Sequence, residues 1–228
     1  MGETSIKVEK VEIYVESPSD KLAMEALLRP LIEVKLQQGI KIEFIPTKGK
    51  NNDRGGDAKK DLLTKIPIKA VNIINNIPNS IVVVIPDLYP KNKGFPHETL
   101  PELEQGILQN FQQTLQSKGI NDHRFQERFK VFCFKHDLES LILAAESQLS
   151  SRIDVTQPQL PKTWTIPVED QNHDIPPKKI VEEIFKKYGK SYKESVDAPI
   201  ILANARYQEI AELCPQAFKP FVQFLENL

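Results

Sequence analysis

The chain has 228 residues, 40% of them hydrophobic, enough for one domain with a buried core. Thirty basic residues against thirty-one acidic ones leave a net charge of -1, so no global field draws the chain onto a polyanion and such binding must come from local patches. No run approaches the roughly 18 apolar residues of a membrane span, which excludes a transmembrane helix. The opening MGETSIKVEK lacks the basic-then-apolar layout of a secretory leader. Cys133 and Cys214 stand far apart in apolar runs and form no metal-binding pair. A cytoplasmic location is expected.

Residues 6–15 (IKVEKVEIYV) alternate apolar and polar and then turn apolar, which predicts a strand entering a core. SPSD follows, with Ser19 or Asp20 placed to cap a helix that keeps apolar spacing from Leu22 to Leu36, kinks at Pro30 and ends at Gly39. Residues 40–46 (IKIEFIP) read as a second strand, and KGKNNDRGGD at 48–57 as a polar surface loop. A helix is expected over 58–76 with a break near Pro67. The β-branched run SIVVVI at 80–85 predicts a strand buried on both faces of a parallel sheet. A Pro/Gly loop at 88–99, a helix at 102–117, a short strand at 130–134 (KVFCF) and a helix at 138–149 complete the pattern.

Strand and helix alternating in this way predict an α/β fold with a mainly parallel, Rossmann-like sheet flanked by helices over residues 1–150. Residues 151–177 are expected to be a connecting segment, because 154–177 hold five prolines and no periodicity. Residues 178–228 read as a helical extension packed on the same domain, with helices at 178–188, 198–203, 207–213 and 216–225.

Ligands of open parallel sheets sit beyond the carboxyl ends of the strands. Glu16 and Asp20 follow the first strand, Asp87 follows SIVVVI, and His136, Asp137 and Glu139 follow KVFCF. Three strands thus bring carboxylates to one edge, which is how a site for a hard divalent cation is built. Each of these taken alone also reads as a turn residue or helix cap. Among the basic residues, Lys48, Lys50 and Arg54 lie in the polar loop beside Gly55-Gly56, whose amides could approach an anion, and Lys135 precedes His136. These groups, or an ordinary solvated surface, account equally for the loop. Neither a G-x-G-x-x-G nor a G-x-x-x-x-G-K-[ST] loop is present, which counts against a nucleotide-binding Rossmann protein.

Tyr14-Val15-Glu16-Ser17-Pro18-Ser19-Asp20 resembles the opening motif of Toprim domains, the metal-binding folds of topoisomerases, bacterial primases, small RNA-maturation nucleases and OLD ("overcoming lysogenisation defect") nucleases. Val84-Ile85-Pro86-Asp87-Leu88-Tyr89 and His136-Asp137-Leu138-Glu139-Ser140-Leu141-Ile142-Leu143-Ala144 are similar to the later motifs of a group of short bacterial Toprim-like proteins of unknown function, as is the ending Cys214-Pro215-Gln216-Ala217-Phe218. The motifs occur in the family's order along most of the chain. Tyr89 stands where a full Toprim site has a second Asp. The resemblance implies a Mg²⁺- or Mn²⁺-dependent nuclease or related phosphoryl-transfer protein acting on nucleic acid in a mobile-element or phage-defence setting. Glu16 would then be the general acid/base, with His136 a second catalytic candidate. Asp87, Glu139, Asp137 and Asp20 would serve the metal, and Lys48, Lys50, Arg54, Gly55, Gly56 and Lys135 the phosphates. The other implied reading is a catalytically degenerate Toprim-like module that docks on an ABC-type ATPase partner. The sequence leaves the oligomeric state open, a homodimer included. A carboxylate claimed by a lysine would weaken the nuclease reading.

Overall fold

A computed structural model describes residues 7–47, 57–156 and 160–228. Four parallel strands form one sheet in the order β2-β1-β3-β4, comprising β1 (Lys10–Val15), β2 (Lys41–Pro46), β3 (Ser80–Val84) and β4 (Phe129–Val131). The expected α/β fold with a parallel sheet is what the chain adopts. All five residues of β3 are buried, because it is a central strand covered on both faces, as its unbroken β-branched sequence demands. Each strand is shorter than its apolar text suggested. Beyond Val131, Phe132 N still donates to Val84 O at 3.0 Å, and an isolated bridge then joins Asp87 and Phe134.

Alternate residues face opposite layers. Val11, Ile13, Val15, Ile81 and Val83 join a core with α1 (Pro18–Leu27), α2 (Arg29–Gln37), α6 (Glu139–Ala144), α7 (Glu146–Arg152) and the helices that follow, α8 (Pro177–Lys187), α9 (Glu194–Ala203), α10 (Tyr207–Leu213) and α11 (Phe218–Glu226). Tyr14, Val82 and Val84 join the other core with α3 (Ala58–Asn76), α4 (Leu100–Ser117) and Phe125 of the short α5 (Arg124–Glu127). No helix among the described residues is long and apolar enough to cross a membrane.

Four expectations about helices are corrected. The cap of α1 is Ser17, not Ser19 or Asp20. The Ser17 hydroxyl accepts from Asp20 N, the Asp20 carboxylate accepts from Ser17 N at 2.8 Å, and Pro18 takes the first turn, where a missing N–H costs nothing. The kink foreseen at Pro30 is a full interruption: α1 stops at Leu27 and α2 restarts at Arg29 with Pro30 in its first turn. By contrast, α3 runs unbroken through Pro67. Proline there deprives the Leu63 carbonyl of its helical donor, and Asn110 Nδ2 of α4 supplies one at 3.2 Å. The helix expected over 138–149 is two, α6 and α7, because the backbone leaves the helical region at Ala145 (ψ 48°). Arg128 caps the other end of α3, its guanidinium donating to the carbonyls of Ile74, Ile77 and Pro78.

Candidate functional site

The sheet reverses its direction of winding between β1 and β3, since the chain passes from β1 outward to β2 and from β3 outward to β4. Ligand crevices of open α/β sheets lie at such a switch point, beyond the carboxyl ends of the strands. Glu16 and Asp87 follow those two neighbouring strands. Asp87 is fixed by its bridge to Phe134, with Phe134 N donating to Pro86 O and Leu88 N to Phe134 O, both at 2.8 Å. The same pairing carries the chain on to His136 and Asp137. One pocket is therefore lined by Glu16, Asp20, Asp87, His136 and Asp137, over an apolar floor that includes Met24 and Phe134.

Four carboxylates line this pocket; Lys59 pairs with Asp87, and Lys178 acts on Asp137 from outside the pocket. Lys59, from the first turn of α3, is 2% exposed, and its Nζ donates to Asp87 Oδ1 at 2.8 Å. The carboxyl of Glu16 is pushed up to about 7, by burial first and then by the charge of Asp87, with Lys59 opposing. Asp20 is raised to about 6 by burial, against the pull of its hydrogen bonds to Ser17. Burial also raises Asp87, and Lys59 again opposes. Asp137 is raised by burial and by the charge of Asp87. Among the described residues the Glu16 carboxylate accepts no hydrogen bond, so its charge stands uncompensated except through space.

Glu139 does not line this pocket. It is 1% exposed at the start of α6, where it accepts from the Tyr192 hydroxyl at 3.1 Å and lies 4.0 Å from Lys178 Nζ. Lys178 is held more closely by Glu194 Oε2, at 2.5 Å. Burial and the neighbouring Asp137 raise the Glu139 carboxyl. Asp137 thus stands between the pocket and this second polar cluster. His136 is 4% exposed and its Nε2 lies 2.6 Å from Gln171 O. A carbonyl only accepts, so Nε2 carries the proton, and burial holds the ring's pKa below the usual histidine value. Lys135 is half-buried and forms no ion pair among the described residues. Lys48, Lys50, Arg54, Gly55 and Gly56 lie outside the described residues.

Sequence reasoning missed Lys59, Lys178, Tyr192 and Glu194. A signal for Lys59 was present. It shares a helical face with Leu62, Leu63, Ile66 and Ala70, all buried, and a lysine on an apolar face needs an anionic partner. Lys178 carried no such mark within a lysine-rich helix.

The donor set can be tested against a divalent cation. All the pocket's ionisable donors apart from His136 are carboxylate oxygens, and Asp137 Oδ1 is a buried acceptor with no hydrogen-bond partner among the described residues. Both features suit a hard cation. No three acidic, His or Cys side chains among the described residues stand together as a ready-made cage, and Lys59 already takes one oxygen of Asp87. The chemistry of the donors fits Mg²⁺ or Mn²⁺; the side chains would have to close around it.

The profile of one family, Domain of unknown function (DUF4276), matches residues 15–226. The chain belongs to the DUF4276 family. The match begins at Val15, just before Glu16, and spans every site residue named above. No curated protein matches this DUF4276 chain. Among solved structures it is similar to the C-terminal region of the Burkholderia pseudomallei OLD protein, with 15% identity, a TM-score of 0.46 and coverage of 96% of this chain and 98% of that one. It is also similar to the C-terminal region of the Xanthomonas campestris pv. campestris OLD protein, with 12% identity, a TM-score of 0.45 and coverage of 96% of each chain.

Proposed function

We propose that this DUF4276 protein is a divalent-metal-dependent nuclease, or a related phosphoryl-transfer enzyme, with a Toprim-type site, acting as an effector in a mobile-element or phage-defence system. One observation carries the reading: Glu16, Asp20, Asp87 and Asp137 converge from three strand ends on a single pocket at the switch point of the sheet. With one buried lysine against four carboxylates, the pocket repels a phosphodiester until a cation enters. Asp87 and Asp137 would hold Mg²⁺ or Mn²⁺, which when bound would polarise the phosphodiester and offset charge developing in an in-line displacement. Glu16, poised near pH 7 and free of hydrogen bonds among the described residues, is the group able to take a proton and return it. Asp20 is committed to the cap of α1 and orients the turn that presents Glu16. His136 positions the strand end through Gln171.

The ion pair Lys59–Asp87 favours a second reading, a catalytically degenerate Toprim-like module that docks on an ABC-type ATPase. Calorimetric titration of Mg²⁺ and Mn²⁺ into the wild type and into Glu16→Gln/Asp87→Asn separates the two. Saturable heat that disappears in the double variant supports the metal-dependent enzyme. No heat at millimolar metal overturns it in favour of the docking module.

A further inference from the structure

Beside the carboxylate pocket three aromatic rings lie almost parallel. The Tyr89 and His173 rings are face to face, with centroids 3.4 Å apart and planes 7° from parallel. The His136 ring lies 5.6 Å from Tyr89 at 17° and 6.2 Å from His173 at 11°. Tyr89 is half-buried and packs against the core of α3 and α4, His136 is buried and His173 is exposed, so the rings run from the core's edge outward. Tyr89 backs one side of the His173 ring, and His173 is the exposed member of the stack.

The rings are held from three directions. Tyr89 follows Leu88, which is buried and bonded to Phe134 O, in a loop whose far side is pinned by Phe95 lying on Gly106. A Cβ at position 106 would come within 2.1 Å of the Phe95 ring, so only glycine lets α4 accept it. His173 is carried by a segment stapled by Gln171. Its side chain accepts from Thr165 N and Oγ1 and donates to Ile175 O, and its carbonyl receives His136 Nε2. Such bracing holds an exposed imidazole flat against a phenol without burying either. Lys91 Nζ lies 5.5 Å from the Tyr89 ring centre, and Lys135, in no ion pair among the described residues, precedes His136.

We propose that Tyr89 and His173 form a stacking platform for an unpaired nucleobase at the rim of the pocket, which selects single-stranded or splayed nucleic acid. The proposal rests on the nucleic-acid reading given above and specifies its substrate class. A nucleotide presents a flat base beside a phosphate, and the structure sets a flat aromatic face beside a pocket whose donors suit a phosphate-bridging cation. Base–aromatic stacking tolerates any sequence, because every base has a π-face.

The test is fluorescence anisotropy of a labelled oligothymidylate, and of the same strand with abasic sites, in Ca²⁺ with the full chain. The intact strand is expected to bind about tenfold more tightly than the abasic one. His173→Ala and Tyr89→Ala should each remove that advantage, leaving abasic binding unchanged, while Tyr89→Phe, which keeps the ring, should retain it. Equal binding of intact and abasic strands by the wild type overturns the platform and leaves the nucleic-acid reading standing. Binding of neither strand overturns both. If Tyr89→Ala proves unfolded by circular dichroism, His173→Ala, at an exposed position, decides alone.

Discussion

Replacing Lys59 by Met removes the ammonium that faces Asp87 and leaves the rest of the pocket in place. At 2.8 Å and an effective dielectric near 20, the pair's Coulomb attraction is about 6 kcal/mol before desolvation is counted. Breaking a buried pair by removing one partner typically costs about 3–5 kcal/mol. Asp87 keeps 20% of its side chain exposed, so water screens part of the orphaned charge, and about 2–4 kcal/mol is expected at about pH 8. The loss should shrink at about pH 5, because a carboxyl already raised by burial protonates more readily once its lysine is gone. Urea unfolding followed by circular dichroism measures this, and the cycle with Asp87→Asn isolates the pair: the coupling should be at least about 2 kcal/mol. Millimolar Mg²⁺ should restore more stability to Lys59→Met than it adds to the wild type, since a cation can then take the vacated side of Asp87. A loss under about 0.5 kcal/mol at pH 8, or no coupling in the cycle, would refute the claim that Lys59 balances the pocket.

Three further outcomes follow from the same structure. Because Glu16 and Asp20 are raised to about 7 and about 6, the native state keeps their protons where the unfolded chain has released them; their contribution is complete below about pH 3.8 and is lost as pH rises to about 7, a fall of about 1–3 kcal/mol that Glu16→Gln should flatten and that a rising urea midpoint over this range would contradict. Lys35 is 4% exposed and donates to the carbonyls of Glu226 and Leu228 at 2.8 and 3.1 Å, so Lys35→Met should cost about 2 kcal/mol and speed amide exchange in α11, and unchanged exchange there would count against it. The Glu169 carboxylate accepts from the backbone N–H groups of Gln216, Ala217 and Phe218 at the start of α11; Glu169→Ala should lower stability by about 1–3 kcal/mol, measured by thermal unfolding, whereas Glu169→Gln should recover part of it.

The order of strands and helices was legible because each carries its own local signal. SIVVVI needs no partner to be read as a strand covered on both faces, and Ser17-Pro18-Ser19-Asp20 contains a whole helix start, although its cap was assigned to the wrong residue. The carboxylates were legible as a group because strand ends of a parallel sheet meet at one edge. What escaped depends on residues far apart in the chain. Pro67 reads as a helix breaker until Asn110, in a different helix, supplies the lost donor. Glu139 reads as a fifth strand-end carboxylate until Tyr192 and Lys178, from the C-terminal helices, claim it. His173 carried no signal, since nothing in a proline-rich connector announces that its ring will lie flat on Tyr89.

The ion pair at Asp87 weighs less against catalysis than it first does. A lysine beside a carboxylate disqualifies a metal site when it leaves the charges balanced, and here it does not. Lys59 is bonded to one of four carboxylates, Lys178 reaches Asp137 only through space, and the Glu16 carboxylate, half-buried, has no hydrogen bond among the described residues to lower its cost. Nothing in the packing needs that group ionisable. An amide or an apolar side chain after β1 would leave the sheet, the Ser17 cap and the contact of Thr47 with the Glu16 carbonyl untouched. A docking surface gains nothing from burying surplus like charge beside an orphaned acceptor, Asp137 Oδ1, whereas a cation site needs that imbalance when empty. On the proposed reading, in which a cation offsets this excess charge, added Mg²⁺ should raise the wild-type unfolding midpoint at about pH 8 and leave Glu16→Gln/Asp87→Asn unmoved. Equal shifts in the two proteins would place the cation elsewhere and return the pocket to the degenerate reading.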